Sequence, residues 1–117
     1  MYLATEYPIA HAGSLLPVSL AFTEALFLVL PGLRREDPAL ARSLRHAAVA
    51  VAHALAAARL ATGTAQRHLQ RAHAQATEAH RLLRDAEARR FFLPLPDAGL
   101  QALALADELV ARLALAV

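Results

Sequence analysis

The chain reads as an all-α protein, an up-down-up-down four-helix bundle. Three observations say so. Apolar residues recur at helical spacing along most of the chain, prolines and glycines cluster at a few widely separated places, and no segment alternates with the period of a strand. At 117 residues it is a single domain, 1–117, with room for a modest core. Hydrophobic residues make up 57%, but much of that is alanine, whose buried methyl contributes only about 0.8 kcal/mol. Small residues let helices approach closely and leave further burial to contacts between subunits.

The breakers set the elements. Residues 1–13 read as a non-helical N-terminal segment, and a first helix over about 14–31 ends at Pro31-Gly32. Asp37-Pro38 is an N-cap followed by proline at the first helical position, which starts a second helix over about 37–62. Gly63 supplies its left-handed C-cap, and Thr64 caps a third helix over about 64–91. The stretch FFLPLPD breaks the chain again, and a fourth helix covers about 96–116. Short connections make successive helices antiparallel.

Rotation by about 100° per residue sorts each helix into faces. Leu40, Leu44, Ala47, Val51, Leu55 and Ala58 form the inner stripe of the second helix. Arg42, Val49, His53, Ala56 and Leu60 lie opposite. The first helix has one stripe of Leu15, Phe22, Leu26 and Val29 and a second of Leu16, Leu20 and Phe27. On the fourth, Leu103, Ala106, Val110 and Leu113 share a side, with Leu105 and Leu109 on another. Only the third is amphipathic in the usual way. Its seam is Leu69, Ala72, Ala76, Ala79, Leu83 and Ala86, and its outer side carries Arg81, Asp85 and Arg89 at ion-pairing spacing. Helices with two apolar faces cannot all be satisfied by one four-helix core. A homo-oligomer is expected, with Val49, His53, Ala56, Leu60, Leu16, Leu20 and Phe27 at its interface.

Several function classes are excluded by what the chain lacks. It has no cysteine, so neither disulfides nor thiolate metal sites are available. The start, residues 1–13, carries no Lys or Arg, which argues against a secretory signal, and a cytoplasmic protein is expected. The apolar run 15–30 carries Pro17 and Glu24 and falls short of the roughly 20 residues that span a bilayer, so no membrane partner is expected. The serines Ser14, Ser19 and Ser43 stand in no nucleophile elbow, and no glycine-rich loop cradles phosphate. Neither catalysis nor a cofactor is expected.

The second helix carries a resemblance. The run LRHAAVAVAHALAAA (44–58) resembles the second-helix signature of the four-helix-bundle proteins encoded by intervening sequences in 23S rRNA genes, approximately L-R-R-A-A-V-S-I-P-A-N-I-A-E-G. Leu44, Arg45, Ala47, Ala48, Val49 and Ala56 match, and Val51 and Leu55 are conservative. The family's third-helix pattern A-x-G-S-x-x-E-x-x-x-x-L-x-x-A meets Ala72, Ala74, Gln75, Glu78, Leu83 and Ala86, with Phe91 at the aromatic position. The likeness extends loosely over about residues 18–115. The family's proline, asparagine, glutamate and glycine fall on Ala52, Ala54, Ala57 and Ala58, so the apolar pattern is kept and the polar one is not. The resemblance implies a homopentameric bundle without a catalytic site. A branch that looks similar, the accessory variability determinants of diversity-generating retroelements, implies basic proteins that bind RNA or DNA and partner a reverse transcriptase.

Two sets of polar residues remain. Among the six histidines, His53 comes level with His73 and His46 with His80 when counted from the turn at Gly63. Glu24 and Glu108 lie near the latter pair. That resembles a di-metal level, but His46, Glu24 and Glu108 point away from their own helices' core stripes and the Glu-x-x-His pairs are missing, so no metal is expected. All twelve basic residues are arginine. Arg34, Arg35, Arg42, Arg45, Arg84, Arg89 and Arg90 gather at the bundle end where helices one and three finish, a set suited to a phosphate backbone. Asp37 and Asp97 are spent at helix N-termini, and Phe91 and Phe92 are the accompanying aromatics. With a net charge of only +2, a solvated alanine-rich surface is the competing explanation of these arginines.

Overall fold

Four helices follow one another as α1 (Leu3–Glu36), α2 (Pro38–Leu60), α3 (Ala65–Ala88) and α4 (Pro96–Ala116). The structure, a computed structural model, describes residues 3–61, 63–92 and 96–117, with side chains from residue 14 onward. Among the described residues there is no strand. α1 packs against α2 and α4, and α3 closes the ring against the same two helices. Across the diagonals α1 touches α3, whereas α2 and α4 stay apart. The longest dimension, 50 Å, is that of the 34-residue α1 at about 1.5 Å per residue.

α1 differs from the expected helix at both ends. The segment expected to be non-helical is helical from Leu3. Leu, Ala and Glu in LATEYPIAHAG favour helix, and extension of an existing helix needs no new nucleus. At the other end Pro31-Gly32 does not stop it. An interior proline costs about 3 kcal/mol, but stopping there would leave Leu33 outside the core. Leu33 is fully buried, which stabilises by about 1.5–3 kcal/mol. Pro31 is exposed, so the carbonyl it leaves without a donor can meet water. α1 then runs to Glu36, and the 23-residue stretch Ser14–Glu36 is long and apolar enough to cross a membrane by length and composition. The expectation that this segment falls short of that length is therefore corrected.

The next two boundaries show both a good and a poor cap. Asp37 caps α2 as expected: its backbone is extended and its Oδ1 accepts from the Leu40 N–H at 3.1 Å. α2 ends at Leu60, with Ala61 extended beyond it; the expected end at Thr62 lies outside the described residues. Gly63 has a φ of +85°, the left-handed conformation predicted for it, but the expectation that it caps α2 is corrected: the C-cap is Ala61, and Gly63 stands two residues beyond it. Thr64 occupies the N-cap of α3 without a side-chain cap hydrogen bond; only its carbonyl serves, accepting from the His68 N–H at 3.3 Å.

α3 ends at Ala88 rather than near Phe91. The Phe91 N–H reaches back to the Ala86 carbonyl at 2.9 Å and the Arg90 N–H to that of Glu87 at 3.0 Å, the paired bonds of a Schellman motif. Its left-handed position is filled by Arg90, at φ +62°.

The inner stripes expected on α1, α2 and α3 are all buried. On α4 the seam is rotated: Gly99, Ala102, Ala106, Leu109, Leu113 and Ala116 are buried, while Leu103 and Val110 are only half-buried. The reason lies at the α3–α4 corner, where the buried Phe92 ring packs directly on Gly99 and occupies the space a Cβ would need. Two side-chain polar atoms among the described residues are enclosed without a hydrogen-bond partner, Ser19 Oγ and His68 Nδ1. Ser19 takes a core position on α1.

Two substitutions test this packing. Gly99→Ala should lower stability by about 1–3 kcal/mol through overpacking against Phe92; an unchanged thermal midpoint would show that the ring moves aside freely. Ser19→Ala should raise stability by about 1 kcal/mol, since it removes an unsatisfied buried hydroxyl. A lower midpoint would show that the hydroxyl has a partner after all.

Candidate nucleic-acid interface

The antiparallel order brings the end of α1, the start of α2, the end of α3 and the start of α4 to one end of the bundle. An ion pair fastens them. Arg89 Nη1 lies 2.9 Å from Asp37 Oδ2 and 3.2 Å from Asp85 Oδ2, so the end of α3 is tied to the turn between α1 and α2. The Arg89 guanidinium also lies over the Phe91 ring, 4.4 Å from its centroid. The Leu40 N–H and then Arg89 hold the Asp37 carboxyl below its ordinary value, and Asp37 with Asp85 holds Arg89 above its own.

Every arginine expected at this end is there and exposed, but they are not equivalent. Arg89 is committed to the two aspartates. Arg34, Arg35, Arg42, Arg45, Arg84 and Arg90 form no ion pair among the described residues. Glu36, Glu87 and Asp97, also without ion pairs, are interspersed and exposed. Arg42 and Arg45 border a surface recess of about 460 Å³ with His46 and Val49. Arg35 borders a cleft of about 250 Å³ formed by Leu28, Val29, Pro31 and Gly32 on one side and Phe91 and Phe92 on the other. The arginine end therefore offers cations for phosphate; of its two aromatics Phe92 is buried and Phe91, half-buried, lies under Arg89 and borders the cleft, so neither presents a fully exposed ring to a base.

The remaining polar residues separate rather than converge. His80 Nε2 lies 3.3 Å from Asp107 Oδ1. Glu108, expected near the histidine level, is paired with Arg112 at 2.9 Å. His46 and Glu24 are exposed. Among the described residues no three His, Asp or Glu side chains come together as metal ligands. On α3 the expected Arg81–Asp85 pair is replaced by Arg81–Glu78 at 2.7 Å, which holds the Glu78 carboxyl below its ordinary value; Asp85 turns instead to Arg89.

Five of the seven expected interface residues are exposed in the single chain. Leu60 is 85% exposed, Val49 53%, Leu20 52% and Phe27 51%. His53 is exposed, and Leu16 and Ala56 are half-buried. Leu28 at 60% and Leu115 at 78% were outside the expected set. Leu28 follows Phe27 in an unbroken apolar run, where periodicity cannot rank one leucine against the next.

Comparison of the chain with protein-family models, with curated proteins and with solved structures gives no match. Its class is defined by the fold: an all-α four-helix chain with six unpaired arginines toward one end and three more, Arg59, Arg67 and Arg71, toward the other.

The Asp37 clamp predicts a pH dependence. Its folded value lies below the ordinary 3.8, so its contribution is complete above that pH and is lost as the pH falls through the folded value. In thermal melts, wild type should exceed Asp37→Ala at neutral pH, and the gap should close below about pH 3.8. A gap that persists at pH 2 would mean that the carboxylate charge is not what holds the corner.

Proposed function

We propose that this chain is a non-enzymatic, oligomeric helical-bundle protein that binds a nucleic-acid backbone through its arginine end. The observation that carries the reading is the set of unpaired arginines, Arg34, Arg35, Arg42, Arg45, Arg84 and Arg90, drawn from three helix ends by the antiparallel topology. Arg89 acts beneath them as the clasp that holds those ends together. Arg90 adds independent support. It keeps a long cation where the backbone is left-handed, at a cost of about 1–2 kcal/mol that glycine would not incur. The resemblance to the intervening-sequence proteins supports a pentameric ring. In such a ring the arginine end repeats around the rim, in the role of an accessory to an RNA or a reverse transcriptase. With neither aromatic presenting a fully exposed ring, recognition is of phosphates rather than bases.

A second reading is a protein-interaction module that binds no nucleic acid, and the exposed Leu20, Phe27, Val49 and Leu60 favour it.

Fluorescence anisotropy of a labelled RNA or DNA oligonucleotide separates the two. The first reading expects affinity that falls steeply with salt and varies little with sequence. Arg84→Gln with Arg90→Gln should reduce the log–log salt slope by about 2, about one per arginine. Absence of binding at low salt would leave the second reading standing. Arg90→Gly should weaken binding while raising stability by about 1 kcal/mol, a combination that a merely structural Arg90 would not give.

A further inference from the structure

α1 and α2 each present an apolar stripe that the bundle leaves uncovered, and the two stripes share one face. Leu28, Gly32 and Arg35 line the cleft against Phe91 and Phe92, so that flank of α1 faces the α3–α4 corner. Leu16, Leu20 and Phe27 lie roughly 100° further round and hence on the α2 side. On α2, Ser43 and Ala47 line the groove shared with Gln75 and Glu78 of α3. That places Arg45, Val49 and Ala56 on the flank toward α1.

A charge interrupts this face. Glu24 is exposed between Leu20 and Phe27 and forms no ion pair among the described residues. Any apolar surface that covered its neighbours would strand the carboxylate unless a cation came with it. α2 carries such cations beside its own stripe, since Arg45 and His46 precede Val49 and are likewise unpaired. In one chain they diverge: Glu24 points outward from α1, and Arg45 stands about 7 Å nearer the Asp37 turn by helical rise. Across a like-oriented contact the same offset of about 7 Å remains, but the two side chains point toward each other and the length of an arginine spans it.

We infer that the α1 stripe of one copy receives the α2 stripe of a second copy in the same orientation, with Glu24 of the first paired to Arg45 of the next. Heights decide the orientation. Counted from the Asp37 turn, Leu16 comes level with Leu60 to within about 3 Å, Leu20 with His53, and Phe27 with Val49. Like-oriented copies therefore set Leu16 against Leu60, Phe27 against Val49 and Leu20 against the His53 ring, and leave Glu24 within an arginine's length of Arg45. An antiparallel two-fold pairing centred on the stripe sets Glu24 against Leu20 and Arg45 against Leu60 instead. Because the two stripes share one face, this like-oriented contact is reciprocal when the copies are related by a two-fold axis along the bundle, and repeats head to tail into a ring when each copy offers one stripe to each neighbour. The inference rests on the oligomeric part of the proposed function; it takes Arg45 out of the phosphate-binding set and leaves Arg34, Arg35, Arg42, Arg84 and Arg90 in it.

Light scattering after gel filtration, in detergent-free buffer, tests it. Wild type should have a multiple of the 12.5 kDa chain mass. Glu24→Arg and Arg45→Glu should each fall to the single-chain mass with an unchanged helical circular-dichroism spectrum, since both side chains are exposed in one copy. The double variant should recover the wild-type mass. A multimeric wild type whose mass neither single variant changes, or a double variant that stays dissociated, overturns the contact and leaves the oligomer standing. A wild type of single-chain mass overturns both. If that monomer sediments with phosphatidylglycerol vesicles, the uncovered face belongs to a lipid surface instead.

Discussion

The closeness of approach that alanine permits is the constraint on which the rest of this bundle depends. Ala72, Ala76, Ala79 and Ala86 form most of the α3 seam, and Ala47, Ala48, Ala54 and Ala58 much of that on α2. A methyl group keeps neighbouring backbones near one another but removes little apolar area from water. α1 brings the largest single share of the bulk, Leu15, Phe22, Leu26 and Leu33, beside Leu44 and Leu55 from α2, Leu69 and Leu83 from α3, and Leu109 and Leu113 from α4. α1 is therefore the helix the core can least do without. That explains why it continues through a proline and a glycine to bring Leu33 inside. The same scarcity of bulk inside the chain leaves Leu20, Phe27, Val49 and Leu60 outside it.

The fold and the cationic end are joined through Arg89. Residues 37 and 89 are 52 positions apart in sequence, and their contact makes the end of α3 and the turn between α1 and α2 one unit. A cluster of like charges at a fraying helix end would drift apart. Here the ends are held by one arginine neutralised by two aspartates, so the remaining arginines project from a fixed base. The aromatic pair beside them works in the same way. Phe92 is folded against Gly99, and Phe91 lies under Arg89. Both rings serve the corner rather than a ligand.

Much of this was legible in the sequence, because periodicity and capping are local. The seams of α2 and α3, the Asp37 cap and the left-handed Gly63 follow from spacing and residue type. The parts that were not legible share a cause: a local preference set against a distant contact. Pro31-Gly32 looks like a stop until Leu33 is seen to be needed inside. The α4 seam is ambiguous because two leucine stripes are equally apolar, and the packing of Phe92 on Gly99 shows which side turns inward. At the arginine end, chain direction was enough to gather the residues. It could not say that Arg89 would be neutralised while Arg84 and Arg90 stayed unpaired, since Asp37 comes beside Arg89 only when the bundle closes.

The left-handed Arg90 has a consequence in the genetic code. Every arginine codon lies one base change from a glycine codon, so the residue best suited to that backbone geometry is a single mutational step away. The chain has a cation where its own conformation favours the smallest residue. Variation at this position is thus a natural record of the contest between backbone comfort and charge: glycine in a related chain would mark a helix end where backbone geometry has prevailed.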